Sequence, residues 1–218
     1  MPMEARLTNI DPLEALRYLG HRGAPDGELL ARVEALGGSL LGAAKPRLVW
    51  RRLPLRPEND ELIEGQDLRS LLRESTEIVL FAATLGAEVE LLLRRAQLRD
   101  MAEAVILDAC ADCAIENVCD NFCADLAQEV APAHLTDRFS PGYGDLPLAH
   151  QRVIFDALNV TRRIGVTLTG SGLMLPQKSV TAILGISPTP RSRAAGCAHC
   201  PMNETCAYRK EGTTCEDR

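Results

Sequence analysis

Arg138-Phe-Ser-Pro-Gly-Tyr-Gly-Asp145 is the stretch from which the rest of this chain is best read. It offers a guanidinium at Arg138, a hydroxyl at Ser140, glycines at Gly142 and Gly144 that let backbone approach a ligand, and an aromatic ring at Tyr143. Arginine suits a bidentate grip on a carboxylate, and a tyrosine ring can stack or turn its π-face to a cation such as a sulfonium. The same composition also fits a tight turn with Tyr143 packed on the core and Arg138 in solvent.

Upstream of this loop the texture is helical. Asp11-Pro12 has the form of a helix start, a capping carboxylate followed by proline, with Leu13, Leu16, Tyr18 and Leu19 as an apolar face and Gly20 as the stop. A second helix is predicted from Asp26 to Leu41, where Leu29, Leu30, Val33, Leu36, Leu40 and Leu41 recur at three- and four-residue spacing. The prolines Pro46, Pro54 and Pro57 bracket an extended segment. Asp67 is expected to cap a helix running through Leu72, and the apolar run Glu77 to Ala83 is read as a buried strand. From Gly86 an Ala-, Leu-, Glu- and Arg-rich stretch predicts helix to Val130, with a break near Gln97 to Asp100 and a stop at Pro132.

Downstream, Leu148 to Leu158 reads as a short helix, and Val166 to Thr169 and Ser179 to Leu184 as strands. This is an α+β pattern: one domain with a mostly antiparallel sheet and long helices, over residues 1–186. Residues 187–196, rich in proline, serine and glycine, read as a linker, and residues 197–218 as a cysteine-bearing tail.

Across Arg138 to Gly185 the chain resembles the activation domain of cobalamin-dependent methionine synthase. That family carries an arginine, then Pro-Gly-Tyr and a further proline, a short helix, a Leu-Thr-Glu-Ser-like strand, a Met-x-Pro and a Ser-Val-Ser-Gly. Here the counterparts are Arg138, Pro141-Gly142-Tyr143, Pro147, the helix around Ile154 to Leu158, Leu168-Thr-Gly-Ser171, Met174-Leu-Pro176 and Ser179-Val180, in the same order. The resemblance implies an activation-domain fold in free-standing form, with S-adenosylmethionine bound at Arg138, Ser140, Gly142 and Tyr143 and no catalytic acid or base. It also implies a corrinoid-bearing methionine synthase, or another corrinoid methyltransferase, as the partner that carries cobalamin, with an electron donor completing reactivation of cob(II)alamin. Methyl transfer from a sulfonium to a strong cobalt nucleophile asks mainly for proximity and alignment, so a site of binding residues suffices.

The chain departs from the family pattern at Gly170, where the family has glutamate, and at Thr181-Ala182, which replaces the final Ser-Gly. A rival reading of another class follows: a docking or assembly protein of a corrinoid methyltransferase that has lost S-adenosylmethionine, with a structural zinc tail.

The eight cysteines fall into two sets. Cys110, Cys113, Cys119 and Cys123 lie in the long predicted helix, the first two projecting roughly opposite the second two, and are expected to fill core among Ala111, Ala114, Ile115 and Val118. Cys197, Cys200, Cys206 and Cys215 have the spacing C-x2-C-x5-C-x8-C in a segment with little apolar core, where a metal would supply the folding energy. Four thiolates match either structural zinc or a 4Fe-4S cluster, and such a cluster could deliver the electron.

A length of 218 residues, 46% of them hydrophobic, allows one sizeable core. No apolar stretch approaches the roughly 18 residues of a membrane span, and the first residues lack a secretory pattern, so a cytoplasmic protein with reduced or metal-bound thiols is expected. A net charge of −6 without a basic, aromatic-interleaved block speaks against a nucleic-acid partner.

Overall fold

The computed structural model describes residues 5–21 and 23–190. The tail cysteines Cys197, Cys200, Cys206 and Cys215 and most of the expected linker lie outside the described residues. In chain order the elements are α1 (Pro12–Tyr18), α2 (Gly27–Ala43), β1 (Arg47–Pro54), a 3-10 turn (Pro57–Leu62), α3 (Gln66–Leu71), β2 (Glu77–Thr84), α4 (Ala87–Arg99) and α5 (Met101–Val130). There follow β3 (His134–Leu135), a 3-10 turn (Leu148–His150), α6 (Gln151–Leu158), α7 (Val160–Ile164), β4 (Thr167–Leu168), β5 (Met174–Leu175) and β6 (Ser179–Ser187).

The main sheet has the order β1-β2-β6-β3 and is antiparallel throughout, which is the α+β architecture expected. β2 sits inside it, with Phe81 opposite Trp50 of β1 and Ala182 of β6. Its unbroken apolar run follows from cover on both faces, as in any strand sandwiched between two layers. Val79, Phe81 and Ala83 face a layer built from α1, α2, α4 and α5, whereas Ile78, Leu80 and Ala82 face α3, α6, α7 and Leu146.

α5 is the spine of the first layer. Phe122 on it meets Phe81 at 4.9 Å between ring centroids and Trp50 at 6.0 Å, joining helix to sheet through aromatic contact. Burying such a ring contributes on the order of 2–3 kcal/mol. The break between α4 and α5 falls where the sequence placed it. Asp100 ends one helix and caps the next, its carboxylate accepting the N–H groups of Ala102 and Glu103. Asp11 and Asp26 likewise accept the N–H groups of Leu13 and Leu29, as their sequence positions predict.

Three expectations are corrected. Asp67 does not cap α3: Gly65 holds the cap position, and Asp67 lies in the first turn. The segment Val166 to Thr169 contributes only Thr167–Leu168, in a separate two-stranded hairpin with Met174–Leu175, because Gly165 before it and the tight turn after it leave two residues free to pair. The single helix expected from Leu148 to Leu158 is a 3-10 turn running into α6, and α7 follows at once, after Asn159 takes a left-handed conformation. Sequence periodicity missed β3, since two residues carry no alternation.

Candidate functional site

The loop from Ser140 to Leu146 is closed on itself by backbone hydrogen bonds. Tyr143 N–H donates to Ser140 O at 3.1 Å, Leu146 N–H to Tyr143 O at 3.0 Å, and Gly142 N–H to Leu146 O at 2.9 Å. Pro141 and Leu146 are buried beneath it. On the N-terminal side, Phe139 bridges Ile183 of β6 and so fixes Arg138 at the sheet edge.

A second anchor comes from α3. The Asp145 carboxylate accepts the N–H groups of Gln66 and Asp67, at 2.5 and 3.1 Å, and Asp145 N–H donates to the Asp67 carboxylate at 3.2 Å. Close approach makes glycine necessary on both sides. A Cβ on Gly65 (φ +83°) would stand 2.3 Å from an Asp145 oxygen, and one on Gly144 (φ +51°) 2.3 Å from an Asp67 oxygen. Just beyond the loop, buried His150 places Nδ1 at 3.1 Å from a Glu64 carboxylate oxygen and Nε2 at 3.1 Å from Leu62 O, pinning the loop exit to the same segment.

Neither part of the tight-turn alternative holds for this loop. Tyr143 is 66% exposed, and Arg138 is the half-buried member, with 26% of its side-chain surface accessible. The Arg138 guanidinium donates to Glu116 Oε2 at 2.6 Å and to Asp120 Oδ1 at 2.7 Å, both on α5, with Cys123 Sγ at 3.9 Å. Burial pushes the Glu116 carboxyl above the usual carboxylate range; Arg138 pulls it back, and Asp120 and Asp112 add to the rise. One guanidinium between two carboxylates leaves an excess of negative charge at this point.

Glu116 and Asp120 were not among the residues singled out from sequence. The signal was present, since Asp108, Asp112, Glu116 and Asp120 recur every four residues and therefore share one face of α5. Lys178, at 12% side-chain exposure, holds the other half of this row, with Nζ 2.9 Å from Asp108 and 2.7 Å from Asp112. Two bases flanking the sheet thus each clamp two acids of one helix.

Beside the loop lies the β4–β5 turn. Thr169 N–H donates to Leu173 O at 2.8 Å and Leu173 N–H to Thr169 Oγ1 at 3.0 Å, which makes the turn compact. Leu148 stands between the two loops, within 3.6 Å of where a Cβ on Gly142 would be and 3.7 Å of one on Gly172. Tyr143, Leu148, Leu173 and Leu175 all expose apolar surface. Gly170 points into open space with nothing within 4 Å of a Cβ there. Ser140 is half-buried and Gly142 exposed on the same loop as Arg138 and Tyr143.

Cys110, Cys113 and Cys119 are buried free thiols and Cys123 is half-buried. Cys110 and Cys113 reach the carbonyls of Val33 and Asp11 under α2 and α1, while Cys123 lies by Arg138, so the two pairs diverge as the helical spacing required. Burial first, then Cys113, pushes the Cys110 thiol up to about 11. Among the described residues no group of three or more His, Cys, Asp or Glu is placed to hold a metal. No helix among them is long and apolar enough to cross a membrane.

The chain is thus a three-layer α+β domain that carries a self-closed glycine loop, an arginine anchored on α5 and an exposed aromatic ring. The model of the vitamin B12 dependent methionine synthase activation domain matches residues 71–211, and the chain belongs to that family. A crystal structure described as the MetH reactivation domain bound to AdoHcy has the same fold, at a TM-score of 0.57 and 16% identity over 98% of this chain and 88% of that one. Comparison with curated protein sequences finds no match.

Proposed function

We propose that the chain binds S-adenosylmethionine at Arg138, Ser140, Gly142 and Tyr143 and supports reductive reactivation of a corrinoid-bearing methionine synthase. The observation that carries this reading is the Arg138 cluster. S-adenosylmethionine bears one carboxylate, one ammonium and one sulfonium, an excess of positive charge, and the cluster of Arg138 with Glu116 and Asp120 has the opposite excess. Arg138 supplies the grip for a carboxylate, and Glu116 and Asp120 supply the counter-charge for the ammonium that a glutamate at position 170 would otherwise contribute. The family membership and the AdoHcy-bound solved relative point the same way.

When bound, S-adenosylmethionine supplies the methyl group that, with one electron from a donor, returns the partner's cob(II)alamin to methylcobalamin. The residues of this chain bind and orient. The loop hydrogen bonds and the Asp145 anchor tie down the backbone that carries exposed Tyr143. The exposed apolar edges of Tyr143, Leu148, Leu173 and Leu175 form the rim on which a corrinoid-bearing surface would settle. Proximity and alignment are what such a rim contributes to methyl transfer.

Calorimetric titration with S-adenosylmethionine tests this. Binding heat from the intact chain that vanishes in Arg138→Ala is expected; an intact chain that takes up no ligand sinks the reading and leaves the docking role. The open space at Gly170 favours that second role, and Gly170→Glu is the variant that discriminates, since restored affinity there would mark a lost ligand group.

A further inference from the structure

We infer that a cleft at the junction of α6 and α7 binds a free α-amino acid with an apolar side chain. Asn159 makes the junction, taking a left-handed conformation (φ 54°, ψ 45°) between Leu158, the last residue of α6, and Val160, the first of α7. Where the chain turns there is a cleft of about 400 Å³. Small-ligand pockets span roughly 300–1,000 Å³. Buried Phe155 and Val160 and partly buried Leu168 of β4 give this one an apolar lining. Its polar lining comes from Arg152, Asp156, Asn159 and Thr161.

Arg152 and Asp156 stand one turn apart on α6, and side chains so placed have Cβ atoms about 5–6 Å apart. Along a helix an acid pairs better when it precedes the base, the reverse of the order here. The two do not pair with each other, and the side chains of Arg152, Asp156, Asn159 and Thr161 make no hydrogen bond or ion pair with any described residue. Other arginines of this chain are unpaired as well. What sets Arg152 apart is that it shares one concavity with an unpaired carboxylate and an apolar lining.

A guanidinium and a carboxylate at this spacing match a zwitterion. Arg152 grips the carboxylate of the ligand and Asp156 takes its ammonium. Asn159 and Thr161 each offer a donor and an acceptor for the hydrogen-bonding positions that remain. The lining of Phe155, Val160 and Leu168 receives an apolar side chain. Ligands of a single charge fit less well: a free anion such as phosphate meets the Asp156 carboxylate, and a metal ion meets the Arg152 guanidinium. α6 and α7 pack on the face of the main sheet opposite α5, which carries Glu116 and Asp120. The inference therefore stands independently of S-adenosylmethionine binding.

The probe is L-leucine, titrated into the full chain and followed by saturation-transfer NMR. Saturable binding is expected, weaker by about tenfold for L-leucinamide, which lacks the carboxylate, and for N-acetyl-L-leucine, which lacks the ammonium. Arg152→Gln should abolish the preference for leucine over leucinamide, and Asp156→Asn the preference over N-acetyl-leucine. Melting curves establish that both variants are folded, and both should titrate with S-adenosylmethionine as the intact chain does. Three results would each overturn the inference: no uptake of leucine by the intact chain, equal binding of all three compounds, or unchanged preferences in both variants. Loss of S-adenosylmethionine binding in Arg152→Gln would also overturn it, by merging the cleft with the Arg138 site. An intact chain that takes up leucine but no S-adenosylmethionine would uphold the cleft and sink the proposed function alone.

Discussion

Asp145 and Asp67 cap each other. The carboxylate of Asp145 accepts the N–H groups that open α3, and the carboxylate of Asp67 accepts the N–H of Asp145 in return. The loop from Ser140 to Leu146 and α3, 78 residues apart in the chain, are thereby held in one register. Replacing Asp145 by Ala orphans two helix-end donors and should cost about 1 kcal/mol, read from the shift in denaturant midpoint. In a double-mutant cycle with Asp67→Ala the two losses should fall short of additivity, because each variant removes part of the same arrangement.

Gly144→Ala places a methyl group where the Asp67 carboxylate now sits, on a backbone of positive φ. A loss of about 1–2 kcal/mol is expected from strain and the displaced hydrogen bond together. Thermal melts of Gly144→Ala in the Asp67→Ala background separate the two causes, since only strain survives there.

Glu116 takes up its proton at higher pH than an ordinary carboxyl, chiefly because it is buried. As pH falls through that raised value, the counter-charge beside Arg138 disappears, and S-adenosylmethionine affinity should drop before ordinary surface carboxylates titrate. Glu116→Gln should bind more weakly at neutral pH, by about tenfold, and flatten this acid limb. For stability the sign is opposite: the raised value favours the folded state below the ordinary carboxyl range, and that contribution is lost as pH rises through it.

Lys178→Met should leave Asp108 and Asp112 facing each other on α5 with no cation between them. Asp108 is exposed and Asp112 partly so, so water screens much of the effect, and a loss of about 1 kcal/mol that shrinks with added salt is expected in denaturant titrations.

Cys110, buried and with its thiol held near pH 11, should resist iodoacetamide in the native protein and react only on unfolding, as mass spectrometry of alkylated peptides would reveal. The tail thiols give a separate readout. Brown protein purified without oxygen and bleached by dithionite would support a cluster at Cys197, Cys200, Cys206 and Cys215, and colourless protein with stoichiometric zinc would end the electron-delivery proposal.

Local chemistry was legible along the chain. Asp11 and Asp26 cap because a short carboxylate before a helical run can reach the first free N–H groups whatever lies elsewhere. The α4–α5 break at Asp100 and the buried strand at Glu77–Thr84 are equally local, set by a capping residue and an unbroken apolar run. The motif order from Arg138 to Ser179 carried the family, because a glycine-and-proline loop needs those residue types at those places.

What the sequence by itself determined, then, is the longer helices and strands and the glycine- and proline-shaped loop at 138–145. Only the tertiary structure decided the partners of that loop: Arg138 meets Glu116 and Asp120 across 22 and 18 residues, and Asp145 rather than Asp67 caps α3. Propensity and periodicity report on neighbours within a turn or a strand, and nothing in them specifies which distant carboxylate will face a given guanidinium. That choice falls to the packing of α5 against the sheet, which brings the acid row of one helix to the arginine at the sheet edge.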